Sequence, residues 1–262
     1  MRLDLFLVDK AYAESRQKAQ RLIKNGCVSI DGKALTKASE DIDDSIDHLV
    51  ELTETDNEKY VSRGGLKLEG ALDSFGVSTQ GKICIDIGAS TGGFTDCLLQ
   101  KGAEKVYAFD AGSGQLHTKL RSDPRVVSKE GFNARYITPD DVGEAVDLAV
   151  MDVSFISQTL IIPSIVKLLK PSGTFVTLIK PQFEAGRSAL GKNGIVKHKE
   201  DILNAVMKVL DCAYENGLSF DGLALSPIKG GDGNEEFLAA FSLKEEIHRS
   251  NFSDVKNIVY NK

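Results

Sequence analysis

The chain has 262 residues, is 42% hydrophobic and carries a formal net charge of −6, so it can form one α/β domain of ordinary size and a smaller one. This mild acidity argues against a protein that coats nucleic acid unspecifically, although it allows a local basic patch. No apolar run reaches the roughly 18 residues that cross a bilayer, and the N-terminal stretch lacks a signal-peptide cleavage site, so we expect a cytoplasmic protein.

The first 24 residues predict two helices, one of them basic. Leu3, Phe6 and Leu7 have helical spacing, and a second helix is expected from about Ser15 to residues 25–26. The bases of that second helix lie opposite its apolar side: Arg16, Lys18, Arg21 and Lys24. The segment CVSIDGK predicts a strand that enters an Asp-Gly turn. Charge alone leaves open whether the basic face binds a partner or is simply solvated.

Residues 1–58, with RLDLFLV, SRQKAQRLIKNGCVSIDGK and the acidic stretch that ends in HLVEL, resemble the small α+β RNA-binding domain first known from ribosomal small-subunit protein four. The resemblance implies that the basic helix contacts the RNA backbone through Arg16, Lys18, Arg21 and Lys24. Residues 59–63 are expected to link this domain to a second one over 64–262.

Beyond residue 63, short apolar runs alternate with amphipathic or turn-rich stretches. Four runs predict parallel strands buried on both faces: KICIDIG, KVYAFDA, DLAVMDV and GTFVTLIK. The last two strand-like segments, LSFDGLALSP and EFLAAFSL, are joined by a loop too short for a crossover helix, so they are expected to pair antiparallel. We predict an α/β, Rossmann-like sheet with an antiparallel C-terminal hairpin, the shape of the S-adenosylmethionine-dependent methyltransferases by fold-level analogy.

The glycine-rich turn DIGASTGGFTD, residues 86–96, follows the first predicted strand of this sheet. It does not fit a dinucleotide fingerprint, because Ser90 stands at the second glycine, and it has no GK[ST] phosphate loop. Asp86 could meet a cationic amino-acid group, and Asp110, at the end of the next strand, suits a ribose diol. Together they favour S-adenosylmethionine, although many α/β proteins carry a similar turn.

Four charged residues fall at strand ends or just before the sheet: Lys67, Asp152, Lys180 and Glu236. If the last strand runs antiparallel, all four can meet beside the glycine turn. Charged groups in such a place are costly to bury unless they pair or act in chemistry. The cluster is therefore either a reaction centre or a salt-bridge network that fastens the strand ends.

These four residues together with DIGASTGGFTD closely resemble the FtsJ-type ribose 2′-O-methyltransferases. From the basic helix through YVSRGGLKL, MDVSF, IKPQFE and GNEEF, the chain looks like a member of the TlyA family, also called haemolysin A. The resemblance implies methyl transfer from S-adenosylmethionine to the 2′-hydroxyl of cytidine in ribosomal RNA. It implies the catalytic set Lys67, Asp152, Lys180 and Glu236. It implies a cofactor wall of Asp86, Gly88, Ser90, Gly92, Gly93, Asp110, Asn133 and Asp152. Thr91 stands where these enzymes commonly have proline.

Within this resemblance we hypothesise that Lys180 is the general base, that Asp152 and Glu236 orient it, and that Lys67 positions the ribose hydroxyl. Methylation of base amino groups fits less well, because Asp-Val-Ser-Phe replaces the usual Asn/Asp-Pro-Pro-aromatic stretch after the fourth strand. Two alternatives stay open: a membrane-active haemolysin, and an RNA-binding protein with an inactive methyltransferase fold. In the loop 186–194, Arg187 and Lys192 either touch RNA or are solvated.

Cysteines and histidines show no pattern of a metal site. The four cysteines form no CxxC pair, and the four histidines lack ligand spacing. We therefore expect free thiols and no bound metal.

Overall fold

The computed structural model describes residues 1–24, 26–52, 59–191, 194–230 and 233–261. The chain divides into two units, Met1–Lys59 and Tyr60–Lys262. Residues 53–58, which include the predicted end of the first domain, lie outside the described residues. Within the predicted linker, Tyr60 is buried in the core of the second unit, and Val61 N donates a hydrogen bond to Asp96 Oδ2 at 2.9 Å.

The first unit packs two helices and a small sheet around its own apolar core. Its elements are α1 (Leu3–Asp9), α2 (Arg16–Lys24), β1 (Val28–Ile30), β2 (Lys33–Ala34) and β3 (Val50–Leu52). The strands are antiparallel in the order β2-β1-β3. Asp31 and Gly32 have φ of 52° and 77°, as a two-residue hairpin turn requires. The predicted helix and Asp-Gly turn are confirmed, whereas Asn25 lies outside the described residues.

The second unit is built on a seven-stranded sheet. Its strands are β4 (Ile83–Ile87), β5 (Lys105–Phe109), β6 (Val126–Lys129), β7 (Val146–Met151), β8 (Leu169–Ile179), β9 (Leu218–Leu225) and β10 (Phe237–Leu243). The order is β6-β5-β4-β7-β8-β10-β9, with β4 to β8 parallel and β10 antiparallel to both of its neighbours. The predicted α/β sheet with an antiparallel hairpin is confirmed.

Helices cover both faces of this sheet. They are α3 (Gly64–Phe75), α4 (Gly93–Gln100), α5 (Thr118–Arg121), α6 (Pro139–Val142), α7 (Ile162–Ile165), α8 (Pro181–Glu184), α9 (Lys199–Glu215) and α10 (Phe252–Tyr260). Ile85 and Ile87 of β4 belong to one apolar cluster, whereas Cys84 of the same strand belongs to the second, with residues of α3 and α4. This two-sided burial explains why parallel strands such as β5 and β7 are nearly continuous apolar runs. Within the described residues, no helix has the length and apolarity needed to span a membrane.

Two local features differ from the simplest reading of the sequence. Strand β6 was not predicted, because its central residues are exposed and its sequence VVSK has no long apolar run. The helix-like stretch after β7 is broken into a 3₁₀ turn (Gln158–Leu160), α7 and a second 3₁₀ turn (Val166–Leu168). Pro163 lies in the first turn of α7, where its missing N–H costs no helical hydrogen bond.

Candidate active site

The carboxyl ends of the parallel strands border two adjoining cavities with volumes of about 290 and 370 Å³. The first is lined by residues that include Ser62, Arg63, Lys67 and Lys180, and the second by residues that include Asp110, Phe132 and Asn133. Gly88, Ser90, Asp152 and Ser154 line both cavities. A ligand in one cavity would therefore meet a ligand in the other at these four residues, as a reaction between two substrates requires.

The four charged residues predicted to be catalytic form two ion pairs at this edge. Lys180, which follows β8, lies with its Nζ 2.6 Å from Asp152 Oδ1, at the end of β7. Lys67 on α3 donates a hydrogen bond to Glu236 Oε2, just before β10. Both lysine side chains are only 11% exposed. The contact between Glu236 and Lys180 that the predicted orienting role of Glu236 requires is not observed, because Glu236 pairs with Lys67.

The contact between Lys180 and Asp152 is ionic rather than a well-aligned hydrogen bond. Asp152 Oδ1 is buried and has no hydrogen-bond partner in favourable geometry among the described residues. Lys180 Nζ does donate a hydrogen bond to Ser154 Oγ at 2.9 Å. Ser154, in the segment MDVSF, was missed by the sequence reasoning because a serine beside a charged cluster carries no distinctive signal.

The glycines of the turn after β4 are required by contacts within the protein. Gly88 has φ of 85°, and a Cβ there would lie 2.5 Å from the backbone oxygen of Asp152. Gly92 has φ of 95°, and a Cβ there would lie 2.2 Å from Leu120 Cδ1. A Cβ on Gly93 would lie 2.2 Å from Ser62 Oγ. The turn therefore packs tightly against the loop after β7 and against α3 and α5, and Gly92 lines neither cavity.

Asp110 lines the second cavity and is held by two backbone N–H groups. Its two carboxylate oxygens accept hydrogen bonds of 2.7 Å from Ser90 N and Gly112 N. Each oxygen retains a further lone pair, so the carboxylate can still accept bonds from a ribose diol. Asn133, whose side chain accepts a hydrogen bond from Arg135 N, lines the same cavity. The structure thus brings Asp110 and Asn133 together with three more of the predicted cofactor residues, Gly88, Ser90 and Asp152, in the lining of the second cavity.

Asp86 lies inside the sheet and lines neither cavity. Its side chain is fully buried, and its Oδ2 accepts a hydrogen bond of 2.7 Å from Thr95 Oγ1. Burial raises the pKa of Asp86 to about 7, with the carboxylates of Asp152 and Asp110 adding to the rise and Thr95 opposing it. Its Oδ1 has no hydrogen-bond donor among the described residues.

These features fit a cationic nucleoside cofactor. Asp110 and Asn133 provide polar acceptors in the second cavity, whose lining also includes the apolar Phe109, Phe132 and Ile161. Asp152 lines both cavities, so its carboxylate lies where they meet, and a carboxylate there stabilises a nearby positive group. The residues therefore suit an adenosine-like body next to a sulfonium or ammonium group.

A second polar cluster lies in the first unit, around a buried carboxylate. Asp4 is fully buried and accepts hydrogen bonds from Arg2 Nε at 2.9 Å, Arg16 Nε at 2.9 Å and Gln20 Nε2 at 2.7 Å. The Arg2 hydrogen bond, followed by those of Gln20 and Arg16, holds the pKa of Asp4 well below its usual range. Arg2 and Arg16 are held side by side, with 43% and 53% of their side chains exposed.

Arg2 was not among the residues predicted for the basic surface, and this cluster adds it. The RLD pattern at the start of α1 is the signal that could have found it. Lys24 is exposed on α2 and Lys18 is half-buried. The side chain of Arg21 and the whole of Lys192 lie outside the described residues.

Each of the two units matches a known protein family. The profile of the S4 domain matches residues 1–45, and that of the FtsJ-like methyltransferases matches residues 60–243. The chain is 41% identical over 261 residues to the 16S/23S rRNA (cytidine-2′-O)-methyltransferase TlyA of Mycobacterium tuberculosis, covering 95% of this chain and 96% of that protein. The chain belongs to the TlyA family.

Two further relatives described as hemolysins match nearly the whole chain. Hemolysin A of Brachyspira hyodysenteriae is 49% identical over 246 residues, which cover 92% of this chain and 99% of that protein. A solved structure from Streptococcus thermophilus is 43% identical, with a TM-score of 0.77 and coverage of 99% of this chain and 94% of that chain. Membership in the TlyA family confirms the resemblance drawn from the sequence.

Proposed function

We propose that this protein transfers a methyl group from S-adenosylmethionine to the ribose 2′-hydroxyl of cytidine in ribosomal RNA. The TlyA of Mycobacterium tuberculosis is named for that activity, as is the TlyA of Campylobacter jejuni, which is 35% identical over 253 residues. The observation that carries the proposal is the position of Lys180, which contacts both Asp152 and Ser154 in the wall of the first cavity. A cytoplasmic location remains a prediction.

A ribose hydroxyl is a poor nucleophile, so it must lose its proton as it attacks. When bound, S-adenosylmethionine supplies an electrophilic methyl group on a positively charged sulfur. The methyl group would pass from that sulfur to the 2′-oxygen, with the sulfur keeping the electron pair of the broken bond, and the hydroxyl proton would pass to the Lys180 amine once this amine has released its own proton to solvent. The resulting ammonium is stabilised by the carboxylate of Asp152 at 2.6 Å.

We assign Lys67 to the substrate oxygen. Its ammonium group lines the first cavity and is held by Glu236, whose side chain is 3% exposed. A positive charge fixed there attracts the negative charge that develops on the 2′-oxygen. Glu236 positions Lys67 and offsets the cost of burying its charge, because a buried charge is tolerated when it is paired.

The cofactor is assigned to the second cavity and the target ribose to the first. Asp110 and Asn133 would hold the nucleoside, and Asp152 would face the positive sulfur where the cavities meet. In the first unit, Arg2, Arg16 and Lys24 are proposed to contact the RNA backbone, with Arg21 and Lys18 kept as sequence predictions. Phosphate contacts of this kind fix the orientation of a protein on RNA without reading its sequence.

The experiment supplies isotopically labelled S-adenosylmethionine with each purified ribosomal subunit and then identifies the labelled sugars. We expect label on 2′-O-methylcytidine with the natural protein and with Lys256→Ala, a control in α10. Lys180→Ala should slow transfer by about 10²- to 10⁴-fold, because it removes the general base, while cofactor binding by calorimetry stays nearly unchanged. Retained turnover in Lys180→Ala would contradict the role of Lys180.

Two other results would contradict the proposed function itself. Cofactor binding without methylation of any RNA would indicate an RNA-binding protein whose methyltransferase fold is inactive. Release of dye from lipid vesicles by the pure protein would indicate a membrane-active haemolysin. We expect methylation and no dye release.

A further inference from the structure

We propose that Ser154 is a positioning residue for the base, a role that rests on the proposed function. Ser154 lines both cavities and accepts a hydrogen bond of 2.9 Å from Lys180 Nζ. Asp152 Oδ1 approaches the same nitrogen to 2.6 Å but outside hydrogen-bond geometry. In the described part of the site, Ser154 is therefore the side chain that sets the direction of a Lys180 N–H bond.

That direction matters for the chemistry of a neutral lysine. A neutral amine has two N–H bonds and a single lone pair, and only the lone pair can take a proton. When one N–H points to Ser154 Oγ and the other lies on the side of Asp152, the lone pair is free to face the first cavity. After the proton transfer, Ser154 accepts a hydrogen bond from an ammonium group, and such charge-assisted bonds are stronger than neutral ones.

The loop that carries Ser154 is held firmly against the segment that carries Lys180. Phe155 has φ of 64°, which turns the chain directly after Ser154, and its ring lies 5.1 Å from the ring of Phe183 on α8. Glu184, at the end of α8, is buried and accepts hydrogen bonds from Ser157 Oγ at 2.5 Å and Gln158 N at 2.7 Å.

A non-glycine residue at positive φ is strained and persists where its surroundings fix it. Phe155 is 92% exposed, so the fixation here comes from the two hydrogen bonds that Ser157 and Gln158 donate to Glu184 of α8. The backbone that follows Ser154 is thus held in place before substrate binds, as the support of a catalytic side chain must be. Because the effect is on the direction of the Lys180 lone pair, it should change the rate of the chemical step rather than the binding of either substrate.

The test compares Ser154→Thr with Ser154→Val, which have nearly the same shape and differ in the hydroxyl, and adds Ser154→Ala. Single-turnover methylation of the ribosomal subunit gives the rate, titration gives the KM for the subunit, and calorimetry gives the Kd for S-adenosylmethionine. Ser78→Ala, at an exposed serine outside both cavities, is the control for serine truncation.

We expect the Val and Ala variants to lose rate by on the order of 10- to 100-fold, as for a lost hydrogen bond to a charged group, with KM and Kd within about twofold. The Thr variant should recover most of the rate. Equal rates in the Thr, Val and natural proteins, with Lys180→Ala inactive, would overturn the role of Ser154 and leave the proposed function standing. An equal loss of cofactor affinity in Val and Ala would also overturn it. Absence of methylation by the natural protein would instead contradict the proposed function.

Discussion

The buried carboxyl group of Asp86 makes the stability of the second unit depend on pH. Its pKa is raised from 3.8 to about 7 in the folded chain, first because of burial. Between those two values the folded chain holds a proton that the unfolded chain has released. The stabilising effect is therefore complete below about pH 4 and is lost as the pH rises to about 7.

The magnitude follows from the same two pKa values. One pKa unit corresponds to about 1.4 kcal/mol, so the rise of about three units corresponds to about 4 kcal/mol between the two limits. In the window between them, the free energy of unfolding should fall by about 1.4 kcal/mol for each unit of pH. Asp86→Asn removes the titration, because the amide stays neutral, and it can still accept the hydrogen bond from Thr95 Oγ1.

Urea unfolding of both proteins from pH 4.5 to pH 8 measures this difference. We expect the natural protein to lose about 3 kcal/mol relative to Asp86→Asn over that range, with most of the loss below pH 7. Asp140→Asn, which changes an exposed carboxylate in the same unit, is the control for loss of one acid. Thr95→Val removes the hydroxyl donor to Asp86 and should extend the sloping region to higher pH.

Parallel curves for the natural protein and Asp86→Asn would refute the reasoning. They would mean that Asp86 ionises in the folded chain at the same pH as in the unfolded chain. The burial of a carboxylate with one unpartnered oxygen would then carry no free-energy cost.

Three other perturbations test the glycine turn, the basic cluster of the first unit and the cofactor cavity. Gly92→Ala should lower the free energy of unfolding by about 3 kcal/mol, because φ is 95° there and the new Cβ would lie 2.2 Å from Leu120. Gly114→Ala should lower it by only about 1 kcal/mol, because φ is 71° but the space around the new Cβ is open. Thermal unfolding compares the two variants. Asp4→Asn should weaken RNA binding at least threefold in a filter-binding titration, because the arginines around Asp4 lose their common acceptor, and unchanged affinity would contradict this. S-adenosylmethionine should bind more tightly at pH 8 than at pH 6 in calorimetry. Asp86 is ionised at pH 8, and although it lines neither cavity, its charge interacts with Asp152 and Asp110 of the second cavity and so makes that cavity more negative; equal affinities would contradict this.

The fold was predictable where burial produces a strong pattern in the sequence. The strand β4 is apolar except for Asp86 because both of its faces are covered, and the basic helix α2 has one apolar side that packs in the first unit. Strand β6 lies at the edge of the sheet with its central residues exposed, so its sequence resembles that of a loop. Edge strands need neighbours in space to be recognised, and single-sequence patterns contain no such information.

The site was predictable as a set of residues but not as a set of contacts. Charged residues at the ends of apolar strands identify Asp152 and Lys180 as a candidate pair, and the structure brings their charges to 2.6 Å. Which lysine meets Glu236 depends on the position of α3 over the sheet, and no spacing in the sequence encodes that position. Ser154 was not predicted for a similar reason, since its contact with Lys180 joins two residues that are 26 positions apart in the chain.

The direction of β10 determines whether the fourth charged residue can reach the site at all. In the antiparallel register Phe237 pairs with Ile179, so the next positions beyond that pair are Glu236 and Lys180, at the same edge of the sheet. A parallel β10 would place Glu236 at the opposite edge, a full strand length from Lys67. A shift of one residue in the register would turn the Glu236 side chain to the other face of the sheet and leave the charge of Lys67 buried without its partner. The antiparallel strand is thus a requirement of the charge balance at the cavity as well as a feature of the fold.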